Sequence, residues 1–148
     1  MRRILIATEN SPCSHEAVHR FIETIGSSAT EVFALTVVAP VSGYHTLAQA
    51  DAELEEGLMD ADRALGDAVL EGARAGITIR TMRRVGEPAP IIVEMARELG
   101  VDLIVLGTHG PEALARLAGD SVAEAVLHDA PCGVVIFPWK AEVATPAR

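Results

Sequence analysis

Apolar positions along the chain come in short unbroken blocks, separated by segments whose apolar residues recur at helical spacing. Residues 3–8 (RILIAT) form a continuous aliphatic run, as expected of a strand buried on both faces. Ser11-Pro12 then supplies an N-cap with proline at the first helical position. Val18, Phe21, Ile22 and Ile25 continue a helix that Gly26 can close. Residues 31–38 (EVFALTVV) predict a second strand, followed by a loop from Ala39 to about Thr46. Leu54, Leu58, Ala61, Leu65, Ala68 and Gly72 repeat at steps of four and three, predicting a long helix. Gly57 and Gly66 weaken that helix, and Gly76 ends it.

The second half repeats the alternation. Residues 77–83 (ITIRTMR) alternate apolar and polar, which predicts a strand with one wetter face near a sheet edge. Gly86-Glu87-Pro88 opens a helix carried by Ile91, Ile92, Met95, Ala96 and Leu99, and Gly100 stops it. Residues 101–106 (VDLIVL) predict the most strongly buried strand, with the loop Gly107-Thr108-His109-Gly110 directly after it. Residues 111–119 read as short and partly helical. Ser121-Val122-Ala123-Glu124 is a capping box, and Val122, Ala125, Val126 and His128 continue its helix. Residues 133–138 (GVVIFP) predict the last strand. Strands alternating with helices imply an α/β fold: a single open parallel sheet of five strands with helices on both faces. One domain is expected over residues 1–140, with a flexible C-terminal tail at 141–148.

Composition narrows the partners. The 148 residues are 49% hydrophobic and 22% charged, enough for one sizeable core and too apolar for a disordered chain. Aromatics are only 3%, so that core is aliphatic. Cys13 and Cys132 are too few for a disulfide framework. Twelve basic against 21 acidic residues leave a net charge of −9, which repels phosphate backbones, so no nucleic-acid partner is expected. Glu9 interrupts the N-terminal apolar run early, and no 18-residue apolar stretch follows. No membrane association is expected, and the expected location is cytoplasmic.

In open parallel sheets, ligands lie beyond the carboxyl ends of the strands where the strand order reverses. Two loops fall there: Thr8-Glu9-Asn10-Ser11 and Gly107-Thr108-His109-Gly110. The helix starting at Ser121 directs free N–H groups to the same end. On position alone, a ligand crevice and ordinary tight turns fit equally well. There is no G-x-x-x-x-G-K-[ST], and no G-x-G-x-x-G follows the first strand, which argues against a P-loop kinase and a dinucleotide dehydrogenase.

Four stretches carry a family likeness. They are Ala7-Thr8-Glu9-Asn10-Ser11, Gly86-Glu87-Pro88, Asp102-Leu103-Ile104-Val105-Leu106-Gly107-Thr108-His109-Gly110, and Ser121 through Cys132 (SVAEAVLHDAPC). Through them nearly the whole chain resembles the universal stress protein family. The resemblance implies a Rossmann-like sheet of the adenine nucleotide alpha hydrolase type, in order 3-2-1-4-5. It also implies a homodimer, for which strand 133–138 is the expected contact: Val134, Val135, Ile136 and Phe137 make an apolar run on an edge strand, followed by Trp139. The nucleotide crevice it implies would take Ala7, Thr8, Glu9, Val37, Gly107, His109, Gly110, Asp120, Ser121 and Val122. ATP-binding members carry G-x2-G-x9-G-[ST], whose glycine and serine amides hold the phosphates.

Here Gly107 and Gly110 keep that spacing, but Asp120 stands in the place of the third glycine, and Gly119 is displaced by one. Glu9 replaces the family aspartate, Asn10 its glycine, and Pro111 a frequent basic residue. An aspartate at a helix start is itself a favourable anion there, worth about 0.3–1 kcal/mol. Pro111 offers neither an N–H nor a positive charge. These departures predict weak ATP binding or none, with AMP or adenosine less repelled and no obligatory cofactor. The leading reading is a non-catalytic stress-response module. The alternative is a genuine ATP or AMP binder with slow hydrolysis or phosphotransfer, for which Glu9, His109 and Ser121 are the only candidates. A third reading is an interaction protein whose crevice is filled by its own side chains, with an unknown protein partner.

His15-Glu16-Ala17-Val18-His19 spells H-E-x-x-H, the zincin pattern. The apolar face of its helix centres on Val18, Ile22 and Ile25, which leaves the histidines at the margin and turns Glu16 to solvent. No third ligand is evident in the sequence, so the pair reads as two boundary histidines, with only adventitious Zn²⁺ or Ni²⁺ binding. Cys132 reads as packing. Cys13 lies near a helix N-terminus, which lowers a thiol pKa, but it has no resolving partner. Arg83 and Arg84 read as solvated. Tyr44 is placed either to stack on a base or to cover core, and His109 either to touch a ligand or to stand exposed.

Overall fold

The computed structural model describes residues 2–29, 31–40, 43, 46–108 and 122–138. Its strands are β1 (Arg3–Ala7), β2 (Glu31–Val38), β3 (Ile79–Val85), β4 (Leu103–Thr108) and β5 (Gly133–Pro138). Its helices are α1 (Pro12–Thr24), α2 (Leu47–Arg74), α3 (Pro88–Leu99) and α4 (Val122–Asp129), with a 3-10 turn at Gly26–Ser28. The strands pair in parallel in the order β3-β2-β1-β4-β5, as expected. Successive side chains on a strand point to opposite faces. Leu5, Leu35, Ile104 and Leu106 therefore meet Ile92, Val93, Met95 and Ala96 of α3 and Ala123 and Val126 of α4. Ile4, Ile6, Val32, Ala34 and Val105 meet Val18 and Phe21 of α1 and Leu65 and Ala68 of α2. Aliphatic runs without alternation thus become strands buried on both sides.

The helix ends follow local chemistry. Ser11 Oγ accepts the Ser14 amide at 3.3 Å, and Pro12 starts α1. Thr46 and Gln49 cap α2 reciprocally, each amide reaching the other's side chain at 3.2 Å. Gly100 ends α3 at φ 62°, a left-handed conformation that glycine takes without steric penalty.

Several boundaries depart from the sequence expectation. α1 ends at Thr24, and Gly26 begins the 3-10 turn instead of closing the helix. Its inward face is Cys13, Ser14, Ala17, Val18 and Phe21, with Ile22 and Ile25 only half-buried. Glu16 is half-buried, not turned fully to solvent. α2 begins at Leu47, well before Leu54, because its cap lies at Thr46. β3 covers Ile79–Val85 where residues 77–83 were expected. The Ile77 amide bonds the Gly72 carbonyl at 2.8 Å, which keeps Ile77 in the helix exit, while Val85 pairs with Val38. β4 covers Leu103–Thr108, so Gly107 and Thr108 are strand residues and not loop. Val101 and Asp102 are occupied elsewhere: the Val101 amide bonds Ala96 O at 3.1 Å, and Asp102 Oδ2 accepts the Arg3 amide at 2.9 Å. The expected partly helical stretch 111–119 and the tail 141–148 lie outside the described residues.

Candidate functional site

The β1 chain leaves the sheet at Ala7 and turns through Thr8-Glu9-Asn10 into α1. The Thr8 amide still bonds Leu35 O at 2.9 Å, which holds this exit against β2. The first turn of α1 then lies against the end of β4. A Cβ at Gly107 would stand 2.5 Å from the Cys13 carbonyl oxygen, so this approach needs glycine. The elements diverge above this contact and leave a crevice of about 130 Å³ at the carboxyl ends of β1, β2 and β4. Ala7, Thr8 and Glu9 line it from β1, Leu35 and Val37 from β2, and Leu106 and Gly107 from β4. Ser14 of α1, Pro88 and Ile92 of α3 and Val122 of α4 complete the wall.

Six expected site residues therefore meet around one crevice: Ala7, Thr8, Glu9, Val37, Gly107 and Val122. His109, Gly110, Asp120 and Ser121 lie outside the described residues, as do Pro111, Gly119, Tyr44 and Trp139. Leu35, Leu106, Pro88, Ile92 and Ser14 were not anticipated. Leu35 was legible, since it shares the β2 face of Val37. Pro88 and Ile92 stand one turn apart on α3, whose packing across the strand ends has no signal in the sequence.

The wall combines aliphatic side chains with the polar groups of Thr8, Glu9 and Ser14. Glu9 is exposed at the rim. Thr8 is 5% exposed, and its hydroxyl has no hydrogen-bond partner among the described residues; the Thr36 hydroxyl shares that condition. An unpaired buried hydroxyl is destabilising by about 1–3 kcal/mol. Aliphatic walls with a carboxylate at one edge and a hydroxyl without a partner among the described residues combine apolar contact with a few polar anchors.

The remaining candidates have local explanations. Cys13 is buried, with its sulfur 3.3 Å from Ser11 Oγ. Cys132 is half-buried; burial and then the Asp102 carboxylate push its thiol pKa up, in keeping with packing. Arg83 and Arg84 are exposed, and Arg83 Nη1 reaches Asp62 Oδ2 at 2.8 Å. No helix among the described residues is long and apolar enough to cross a membrane.

An open parallel sheet with helices on both faces and a crevice beyond its strand ends defines a Rossmann-like α/β domain. Residues 1–138 match the model of the universal stress protein family, and the chain belongs to that family. A Staphylococcus haemolyticus protein named as a universal stress protein is 34% identical over 161 residues, covering 98% of this chain and 93% of the relative. A solved universal stress protein family structure from Burkholderia pseudomallei is 30% identical with a TM-score of 0.67, covering 93% of this chain and 96% of that one. A solved universal stress protein in complex with cAMP is 25% identical with a TM-score of 0.70, covering 92% and 96%.

Proposed function

We propose that the chain is a non-catalytic, cytoplasmic stress-response module that holds a small adenine nucleotide of the AMP or cAMP size in this crevice and holds ATP weakly. The observation that carries this reading is the convergence of Ala7, Thr8, Glu9, Val37, Gly107 and Val122 on one crevice, with a buried Thr8 hydroxyl that has no partner among the described residues. The cAMP complex of a related structure supports the ligand class. Binding suits this wall better than catalysis, since Glu9 is the one titratable side chain among its described lining residues. Charge argues against the triphosphate. Asp120 occupies the phosphate-binding glycine position of the family motif, and the chain carries −9 overall. Each close like-charge pair near water opposes binding by about 1 kcal/mol, roughly a fivefold loss.

Calorimetry is expected to find AMP bound at least tenfold more tightly than ATP with Mg²⁺. Asp120→Gly with Pro111→Arg is expected to raise ATP affinity while leaving AMP affinity nearly unchanged. Micromolar ATP binding by the natural sequence would overturn the charge argument. Failure of both nucleotides to bind would overturn the ligand.

We further propose a homodimer formed through β5. This strand is an edge of the sheet, and Val134, Val135, Ile136 and Phe137 are all only half-buried in the single chain. Arg20 lies over the Phe137 ring at 5.0 Å, and no strand among the described residues pairs with the outer edge of β5. Exposed apolar edges invite strand pairing. Light scattering is expected to report twice the chain mass at micromolar concentration. Val135→Lys with Ile136→Lys is expected to give a monomer that still melts cooperatively. A natural chain that is monomeric at that concentration rules the dimer out.

A further inference from the structure

The H-E-x-x-H stretch of α1 lacked further ligands in the sequence, and the fold brings two candidates to it. His15 Nε2 stands 3.6 Å from Asp67 Oδ2, and His19 Nδ1 stands 3.7 Å from Glu71 Oε2. Two imidazoles one turn apart on α1 thus face two carboxylates one turn apart on α2. We propose that His15, His19, Asp67 and Glu71 form a binding site for a divalent ion of the Zn²⁺ class, which clips α1 to α2.

Direct bonding does not account for the arrangement. Both separations are too long for hydrogen bonds, and exposed ion pairs of this kind contribute little. Two ligands on a tetrahedral zinc ion, with bonds of about 2.0–2.1 Å, lie roughly 3.4 Å apart. Each facing pair is within a few tenths of an ångström of that spacing. The ring of His19 is also oriented for the role. Its Nε2 lies 3.2 Å from Glu23 Oε1, which leaves Nδ1 on the other side of the ring toward the Glu71 carboxylate. A carboxylate on the far ring nitrogen is the usual support for a metal-bound histidine.

Among the described residues no three or more such side chains are already arranged to hold a metal ion. The four stand as two pairs, so capture of an ion rotates side chains while the helices stay in place. Room and freedom are both present: all four side chains are substantially exposed, beside a recess of about 220 Å³ between the helices. Asp67, Glu71 and Glu23 outweigh Arg74, the one guanidinium lining that recess. Imidazole with carboxylate favours Zn²⁺, Co²⁺, Ni²⁺ and Cu²⁺ over Mg²⁺ or Ca²⁺. Glu16 takes no part in either facing pair, so the site binds an ion without the general base of a zincin.

The test is thermal melting of the full chain after chelator treatment, with and without Zn²⁺. Zn²⁺ at about a hundredfold its dissociation constant is expected to raise Tm by roughly 5 °C or more, and Mg²⁺ to leave it unchanged. His15→Ala with His19→Ala should abolish the shift. Asp67→Asn with Glu71→Gln should weaken Zn²⁺ affinity at least tenfold, and Co²⁺ added to the natural chain should give the visible absorption of a four-coordinate site. No Zn²⁺ shift, a shift that survives loss of both histidines, or an affinity indifferent to the carboxylates would each overturn the proposal. The last result would mean that the histidine pair of α1 binds alone. All four substituted side chains are exposed, so the metal-free variants are expected to melt close to the natural chain.

Discussion

Ile104→Asp is expected to leave the chain without a cooperative melting transition. Ile104 is 0% exposed, pairs with Leu5 on one side and Val134 on the other, and belongs to the core under α3 and α4. The substitution removes packing worth about 2–5 kcal/mol. It also buries a carboxylate without a partner, at an effective penalty of several kcal/mol more. A domain has only about 5–15 kcal/mol of stability to lose. Circular dichroism on heating reads the outcome. Ile104→Val removes a single methylene at this site and should melt only slightly early, by about 0.5–1.5 kcal/mol. A cooperatively melting aspartate variant would mean that β4 is not an interior strand.

Gly107→Ala is expected to lower stability by about 1–3 kcal/mol, or Tm by up to roughly 10 °C, and to weaken nucleotide binding with it. The added methyl would meet the Cys13 carbonyl oxygen at 2.5 Å, the Ala17 Cβ at 3.0 Å and the Cys13 carbonyl carbon at 3.1 Å. Two of these are backbone atoms of α1 and cannot swing aside. Relief comes only from moving α1 away from β4, and both elements line the crevice. Gly66 provides the opposite case. Nothing lies within 4 Å of its would-be Cβ inside α2, so Gly66→Ala should stabilise the helix by about 0.5–1 kcal/mol. If the two alanines shift Tm alike, close packing is not what selects glycine at position 107.

Strands written as continuous aliphatic runs were the most legible part of the chain, because such runs have few other uses. Residues 31–38 and 133–138 coincide with β2 and β5, and 3–8 overshoots β1 by one residue. The expected β3 and β4 both start two residues early. In each case an amide that looked free for the sheet is held by the preceding helix exit: Ile77 by Gly72, and Val101 by Ala96. Such competition between turn and strand leaves hydropathy unchanged, so periodicity cannot show it. The start of α2 was readable as a capping box at Thr46 and Gln49, but Leu47 is 85% exposed, and an amphipathic stripe begins only further along. The crevice residues on strand ends followed from the family likeness. Those from α3 did not, because the crossing of a helix over strand ends is settled by packing. Asp67 and Glu71 escaped for the same reason: only folding brings α2 beside the histidines of α1.

The central position of β1 sets a timetable for biosynthesis. β1 leaves the ribosome before the other four strands of the sheet, yet Asp102, whose carboxylate holds the Arg3 amide at the start of the strand, lies 99 residues later. At about 5–20 residues per second, that interval is roughly 5–20 s. β2 and β3 can pair during this time, but the other edge of β1, through Ile4, Leu5 and Ile6, waits for β4. A bare aliphatic strand edge is the surface that holdase chaperones cover and that misfolding chains share. Completion of this sheet is therefore a late event, and the nascent chain passes through its most vulnerable state just before β4 arrives.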